Sequence, residues 1–247
     1  VIRIEREGAV ATILLDRPDK KNAQTPAMLD ALAQATGQIA RDASVHAVVL
    51  AGEGSVFCAG FDLSLCIEDE GAMPELLTRL SICVRKIRRL PTPVVGAASG
   101  AAIAGGCALL GACDFVVTDA GAKIGYPVVR LGVSPAVASP LLQLAAGHAH
   151  ARERLLDPGL VSGEEAVRIG LATECVQTRA EVRPRAMAIA HALAAKPAHA
   201  VRITKEWLNE LDGSDGDALL DGALAASLST ANTPEAREHL AAVWGAR

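Results

Sequence analysis

Between Leu90 and Cys113 the chain carries no charged side chain, and this stretch limits the possible folds more than any other. An uncharged run of that length must be shielded from water, either by lipid or by the rest of a folded protein. Gly96 and Gly100 even have the spacing of a membrane helix-pairing motif. Yet Pro91, Pro93 and several glycines interrupt the run, and alanine, its commonest residue, is only weakly hydrophobic. Pro93–Ala98 reads as a buried strand, with helix-like residues only after Gly105. A second uncharged stretch, Leu131–Ala151, holds Pro135, Pro140 and two histidines. Both stretches are expected at the buried centre of a soluble, cytoplasmic fold, with no membrane partner.

The rest of the pattern supports an α/β protein. Strand-like runs fall at Ile2–Arg6, Val10–Leu15, His46–Ala51, Pro93–Ala98, Phe115–Thr118, Lys123–Ile124 and Ala172–Val176. Helical patterns lie between them at Pro26–Arg41, Pro74–Arg89, Gly105–Gly111, Ala136–Ala146 and Ala149–Leu156. Strands alternating with helices imply at least partly parallel pairing. From Glu181 only helices remain, at Glu181–Ala195, Ala198–Leu211, Asp215–Leu228 and Pro234–Val243. The chain therefore divides into a core, residues 1–189, and a helical C-terminal segment, residues 190–247.

Two glycine-centred segments stand where strand gives way to helix: Val56-Phe-Cys-Ala-Gly-Phe-Asp-Leu63 and Ser99-Gly-Ala-Ala-Ile-Ala-Gly-Gly-Cys107. Small residues let backbone approach a ligand closely, and the first N–H groups of a helix point outward without internal partners. Two such donors converging on one point form an oxyanion hole. Two tight turns before buried helices would look the same. A nucleotide site is not indicated, because Gly100, Gly105 and Gly106 do not have the dinucleotide-binding spacing and Cys107 replaces a phosphate-loop lysine.

Bulk charge adds little. With 21 % charged residues and a net charge of −4, the chain shows no electrostatic footprint for nucleic acid or an anionic membrane. Hydrophobic residues make up 51 % but aromatics only 2 %, so the core must be built from Ala, Val, Leu and Ile. That apolar excess suits burial between subunits. The six cysteines have no metal-ligand spacing and read as core packing, and His148 and His150 read as a solvated pair between helices. No metal is expected.

Asp16-Arg-Pro-Asp-Lys-Lys-Asn-Ala23 resembles the opening signature of the crotonase (enoyl-CoA hydratase/isomerase) superfamily. Val56–Leu63 resembles its first oxyanion segment, Pro93–Asp114 its second, and Ile124–Gly132 the segment that follows, in matching order and spacing. The resemblance implies a spiral of ββα units followed by helices that mediate trimers, which often pair into hexamers. It implies an acyl-CoA thioester substrate, with coenzyme A entering as part of that substrate and no tightly bound cofactor. The N–H groups of Phe61 and Gly105 become the oxyanion donors. Lys20 and Lys21 would meet the CoA phosphates, and Ala23, Ala59, Asp62, Leu63, Gly106, Pro127, Val128 and Leu131 would line the acyl-CoA site. Asp62 reads better as a cap that holds Phe61 than as a substrate contact.

The sequence departs from the family at the proton-transfer positions. Hydratases place a glutamate three residues after the oxyanion glycine, where this chain has Ala108, and a second after the proline of the next motif, where it has Val128. The aspartate that some isomerases and dehalogenases use further on is replaced in the run Val133-Ser-Pro-Ala136. Each missing acid or base typically costs about 10²–10⁴-fold in rate. Tyr126 is a weak candidate proton donor, since a hydrogen-bonded core phenol explains it better. Ser134 and Ser139 are weak bases, and Glu68, Asp69 and Glu70 form a solvated acidic run on a probable lid. Lys205 and Trp244 lie where the family contacts CoA or a neighbouring subunit, and packing explains them as well. Two readings remain: an enoyl-CoA hydratase/isomerase-type enzyme with a non-standard proton donor, or a catalytically silent acyl-CoA-binding member of the superfamily.

Overall fold

The computed structural model describes residues 1–245, with side chains described through Val243; Trp244 lies outside the latter. The chain opens with an antiparallel pair, β1 (Ile2–Glu7) and β2 (Val10–Leu15), followed by α1 (Pro26–Ala40), β3 (Ala47–Gly52), α2 (Leu63–Glu68) and α3 (Ala72–Arg88). Next come β4 (Val94–Ala98), β5 (Ala101–Ile103), α4 (Gly105–Gly111), β6 (Phe115–Asp119) and β7 (Lys123–Gly125). The remainder comprises α5 (Ser139–Leu156), α6 (Gly163–Arg168), β8 (Glu174–Val176), α7 (Arg179–Ala194), α8 (Ala198–Asp212), α9 (Ala218–Ala231) and α10 (Pro234–Gly245).

The large sheet runs β1-β2-β3-β4-β6-β8 and is parallel beyond its first pair. Its central strands are apolar at every position because both faces are covered. Val48 and Leu50 face α1 and α3, whereas Val49 and Ala51 face the opposite layer, where α7 packs Val182, Ala186 and Ala190. The division at residue 190 thus falls inside α7, whose two halves cover the same sheet.

After β2, β3, β4 and β6 the chain leaves the large sheet and makes a short extended piece in a second ladder. Gln24 pairs with Phe61, Cys58 with Ala102, β5 with β7, and Ile124 with Val161. Strand, short strand and helix therefore recur, which is the expected spiral of ββα units. The uncharged stretch Leu90–Cys113 forms one whole unit, β4-β5-α4, at its centre. No helix among the described residues is long and apolar enough to cross a membrane.

The C-terminal helices fold back on their own core. Leu220, Ala223 and Ser227 of α9 and Ala236 and Leu240 of α10 are buried. Lys205 of α8 points inward, and its ammonium donates to Asp114 Oδ2 at 2.6 Å and to the Thr92 carbonyl at 3.0 Å. Burial lowers its pKa while the Asp114 charge opposes that shift. Five of the six cysteines are buried as core residues. Desolvation pushes the Cys58 and Cys107 thiols up to about 12, which keeps them protonated.

Candidate functional site

A cavity of about 360 Å³ opens between the second ladder, α3 and the segment from Tyr126 to Ala138. Its walls carry Ala59, Phe61, Leu63, Gly105, Tyr126, Pro127, Val128 and Leu131, so the structure brings together most of the positions expected from sequence. It also recruits Met73, Leu77 and Leu80 from α3 and Val243 from α10; the sequence patterns place the last three in helical runs and leave Met73 just outside one. Among the described lining residues Arg130, at the exposed rim, is the one charged side chain. Among the described residues no carboxylate lines the cavity, and Ala108 and Val128 are part of its wall.

The ladder explains how two N–H groups come to face this space. Gln24 N–H donates to the Gly60 carbonyl at 2.7 Å, and Asp62 N–H donates to the Gln24 carbonyl at 2.9 Å. A parallel bridge of this kind uses the residues on either side of Phe61, so Phe61 N–H points away from Gln24. On that far side Cys58 binds the neighbouring arm, accepting from Ile103 N–H at 3.0 Å and donating to the Ala101 carbonyl at 3.1 Å. This arm turns into α4 at Gly105, the first helical residue, whose N–H has no intrahelical acceptor. Neither Phe61 N–H nor Gly105 N–H has a backbone acceptor among the described residues, and both residues line the cavity.

The turn into α4 is tight. Ala104 adopts φ 49°, ψ −110°, a conformation that typically costs a non-glycine residue about 1–3 kcal/mol. Its N–H is anchored to the Gly125 carbonyl at 2.8 Å, and its own carbonyl accepts from Ala108 N–H at 2.9 Å. At Gly105 a Cβ would lie 2.3 Å from Gln24 Oε1, so a side chain there would have to displace the Gln24 carboxamide. Gly106 serves packing instead: a Cβ would meet the Cys58 carbonyl oxygen at 2.7 Å.

The signature loop braces the first arm. Buried Asn22 donates through Nδ2 to the carbonyls of Glu53, Val56 and Phe57, and its Oδ1 accepts from Arg17 N–H. Arg17 donates to the Ala23 carbonyl at 3.0 Å and to Asp62 Oδ2 at 2.8 Å. Ser64 Oγ donates to Asp62 Oδ1 at 2.6 Å. Burial pushes the Asp62 carboxyl up, but the Ser64 and Arg17 hydrogen bonds and the Arg17 charge outweigh it, and its pKa falls below the usual value. Asp62 is absent from the cavity wall and makes no side-chain cap of α2; it holds its arm through Arg17 and Ser64.

Other expected residues are placed differently. Lys20 and Lys21 are exposed on the loop, and the Lys21 carbonyl accepts from cavity-lining Ala59 N–H at 3.0 Å. Ala23 and Gly106 brace the arms and do not line the space. Tyr126 is buried, and its hydroxyl donates to the Cys107 carbonyl at 3.3 Å. Desolvation raises its pKa well above that of a free phenol. Glu70 pairs with Arg237 of α10 at 3.2 Å. Asn22, Arg17 and Gln24 are the supporting residues that sequence patterns did not single out.

Three comparisons point to one family. The family model described as Enoyl-CoA hydratase/isomerase matches residues 5–241. A Thermus thermophilus relative bearing an enoyl-CoA hydratase name is 34 % identical over 235 residues, covering 94 % of this chain and 91 % of that protein. The short-chain-enoyl-CoA hydratase of Clostridium acetobutylicum is 31 % identical over 222 residues, 88 % of this chain and 84 % of that one. Among solved structures, an enoyl-CoA hydratase/isomerase from Mycobacterium paratuberculosis superposes with a TM-score of 0.88 at 28 % identity, covering 98 % of this chain and 97 % of the other.

Proposed function

Because the chain belongs to the enoyl-CoA hydratase/isomerase family, we propose that its cavity binds an acyl-CoA thioester and stabilises the enolate of that thioester. One observation carries this reading: two unpaired N–H groups, from Phe61 and Gly105, at the wall of an apolar cavity. A thioester carbonyl oxygen placed between them would gain negative charge as the enolate forms, and each donor is typically worth about 3 kcal/mol in the transition state. Lys20 and Lys21 would receive the CoA phosphates near Ala59, and the apolar walls from α3 and Val128 would enclose the acyl group. Coenzyme A would enter as part of the substrate, and the exposed face of α8 would support a trimer or a pair of trimers.

The acid–base half of the chemistry is different. With Ala108 and Val128 in the wall, no carboxylate among the described lining residues would activate water or protonate the α-carbon. The Tyr126 proton is directed at the Cys107 carbonyl. In hydration the water oxygen would bond to the β-carbon and lose one proton to solvent, the π electrons would move to the thioester oxygen, and as those electrons returned to re-form the carbonyl the α-carbon would take a proton from solvent. That route is slower by about 10²–10⁴-fold for each absent group. The same absence of carboxylates supports a second reading, a silent acyl-CoA-binding protein. Loss of the ultraviolet absorbance of crotonyl-CoA on addition of purified protein supports the enzyme; binding by calorimetry without turnover supports the silent binder. Absence of both binding and turnover would remove the acyl-CoA reading altogether.

A further inference from the structure

We infer that Gln24 is a positioning residue of the oxyanion hole, acting through a carboxamide that has no structural partner. This inference rests on the acyl-thioester reading above. Gln24 is 1 % exposed, yet neither Oε1 nor Nε2 has a hydrogen-bond partner among the described residues. A buried amide left unpaired is costly and calls for an explanation, whichever way its two ends are assigned. Leucine would fill similar space without that cost.

The location supplies the explanation. The backbone of Gln24 holds the Phe61 arm through its bonds with Gly60 and Asp62, and its side-chain oxygen lies against Gly105, where a Cβ would approach it within 2.3 Å. The Phe61 ring flanks the same point, its Cε1 3.2 Å from that Cβ position. One residue therefore spans the two arms that carry the two donors, and it ends in a strong dipole beside them. In a water-excluded site a fixed dipole acts on developing charge with little screening. The unpaired carboxamide sets the separation of the arms and, with its NH2 end turned toward them, an orientation the unpartnered amide leaves open, adds positive polarity behind the donors.

The test compares Gln24→Leu, Gln24→Asn and the parent using cinnamoyl-CoA, whose absorbance shifts to the red when its thioester carbonyl is polarised. Gln24→Leu is expected to be at least as stable as the parent in urea, because an unsatisfied polar group is gone. Its red shift is expected to fall to less than half, and its affinity for cinnamoyl-CoA to weaken about fivefold, the equivalent of one net hydrogen bond. Affinity for free CoA should stay unchanged. Gln24→Asn, which keeps an amide, should recover part of the shift. A folded Gln24→Leu protein with the full parental shift would overturn the inference and leave the oxyanion hole standing. A parent protein that binds cinnamoyl-CoA without a red shift, or does not bind it, would overturn the oxyanion reading and this inference together.

Discussion

At the scale of residues, the arms of the site depend on a few polar anchors. Asp62 is the clearest, since its carboxylate is mostly shielded and paired with Arg17 at 2.8 Å. Asp62→Asn should cost about 1.5–3 kcal/mol at pH 7, the range for a hydrogen bond to a charged group. The pH dependence follows from the lowered pKa of Asp62. A carboxyl whose folded pKa lies below its unfolded value of about 3.9 contributes fully above that value and loses the contribution as pH falls through the folded pKa. The stability gap between parent and Asp62→Asn, read by urea denaturation, should therefore narrow below pH ~4. A gap that stays constant down to pH 3 would show that the charge is not what holds this arm. The second residue-scale expectation concerns the cavity wall. Ala108→Glu with Val128→Glu places two carboxylates in one apolar cavity, where burial and mutual repulsion raise at least one pKa and create an acid and a base. Crotonyl-CoA hydration should rise at least about tenfold, within the range for restored acid–base groups. A folded, CoA-binding double variant with no gain would mean that the cavity is shaped for other chemistry.

At the scale of elements, α9 acts as a clamp on the cavity wall. Ser227, fully buried, donates to the Ser134 carbonyl at 2.8 Å and accepts from Val137 N–H at 2.9 Å, while Thr230 Oγ1 accepts from Ser134 N–H at 2.8 Å. Ser227→Ala leaves Val137 N–H buried and unpaired, so it should cost about 1–3 kcal/mol in denaturant titration. Acyl-CoA affinity should fall with it because Ser134 and Val137 line the cavity. Unchanged stability would mean that water replaces the hydroxyl. Much of this scale was legible beforehand. The strongly periodic strands and helices lie where their patterns place them, because both faces of the sheet demand apolar residues at every position. What escaped were short elements whose stability is not local. β5 is three residues of Ala-Ala-Ile that form a strand only because Lys123–Gly125 lies alongside. The brief helices α2 and α6 span fewer than two turns each, whereas the break within α5 was legible: Gly147, at φ 74° and ψ 168°, divides it into two helical stretches, as the sequence suggested. Gln24 escaped for the same reason: nothing near it in sequence reveals that Gly105 will come to lie against its side chain.

At the scale of the whole molecule, the helices fold back far enough to place Val243 in the cavity wall, yet α8 keeps an apolar stripe outward. Ile203, Trp207 and Leu211 follow one another at helical spacing and are 50 %, 57 % and 70 % exposed. We expect this stripe to be buried between copies, so that sedimentation at micromolar concentration reports a trimer or hexamer. A lone species at the 25.5 kDa chain mass would contradict that assembly. The ordered motifs made the two glycine-centred arms readable, and the same motifs identified positions 108 and 128, which the structure places in the cavity wall. The bracing of those arms by Asn22, Arg17 and Gln24 became visible only in three dimensions. The central claim, that Phe61 and Gly105 polarise a bound thioester, is tested most directly by the absorbance spectrum of cinnamoyl-CoA in the presence of excess parent protein and of Gly105→Val. A red shift with the parent that is absent with a folded Gly105→Val variant is the expected result; the same unshifted spectrum with both proteins would contradict it.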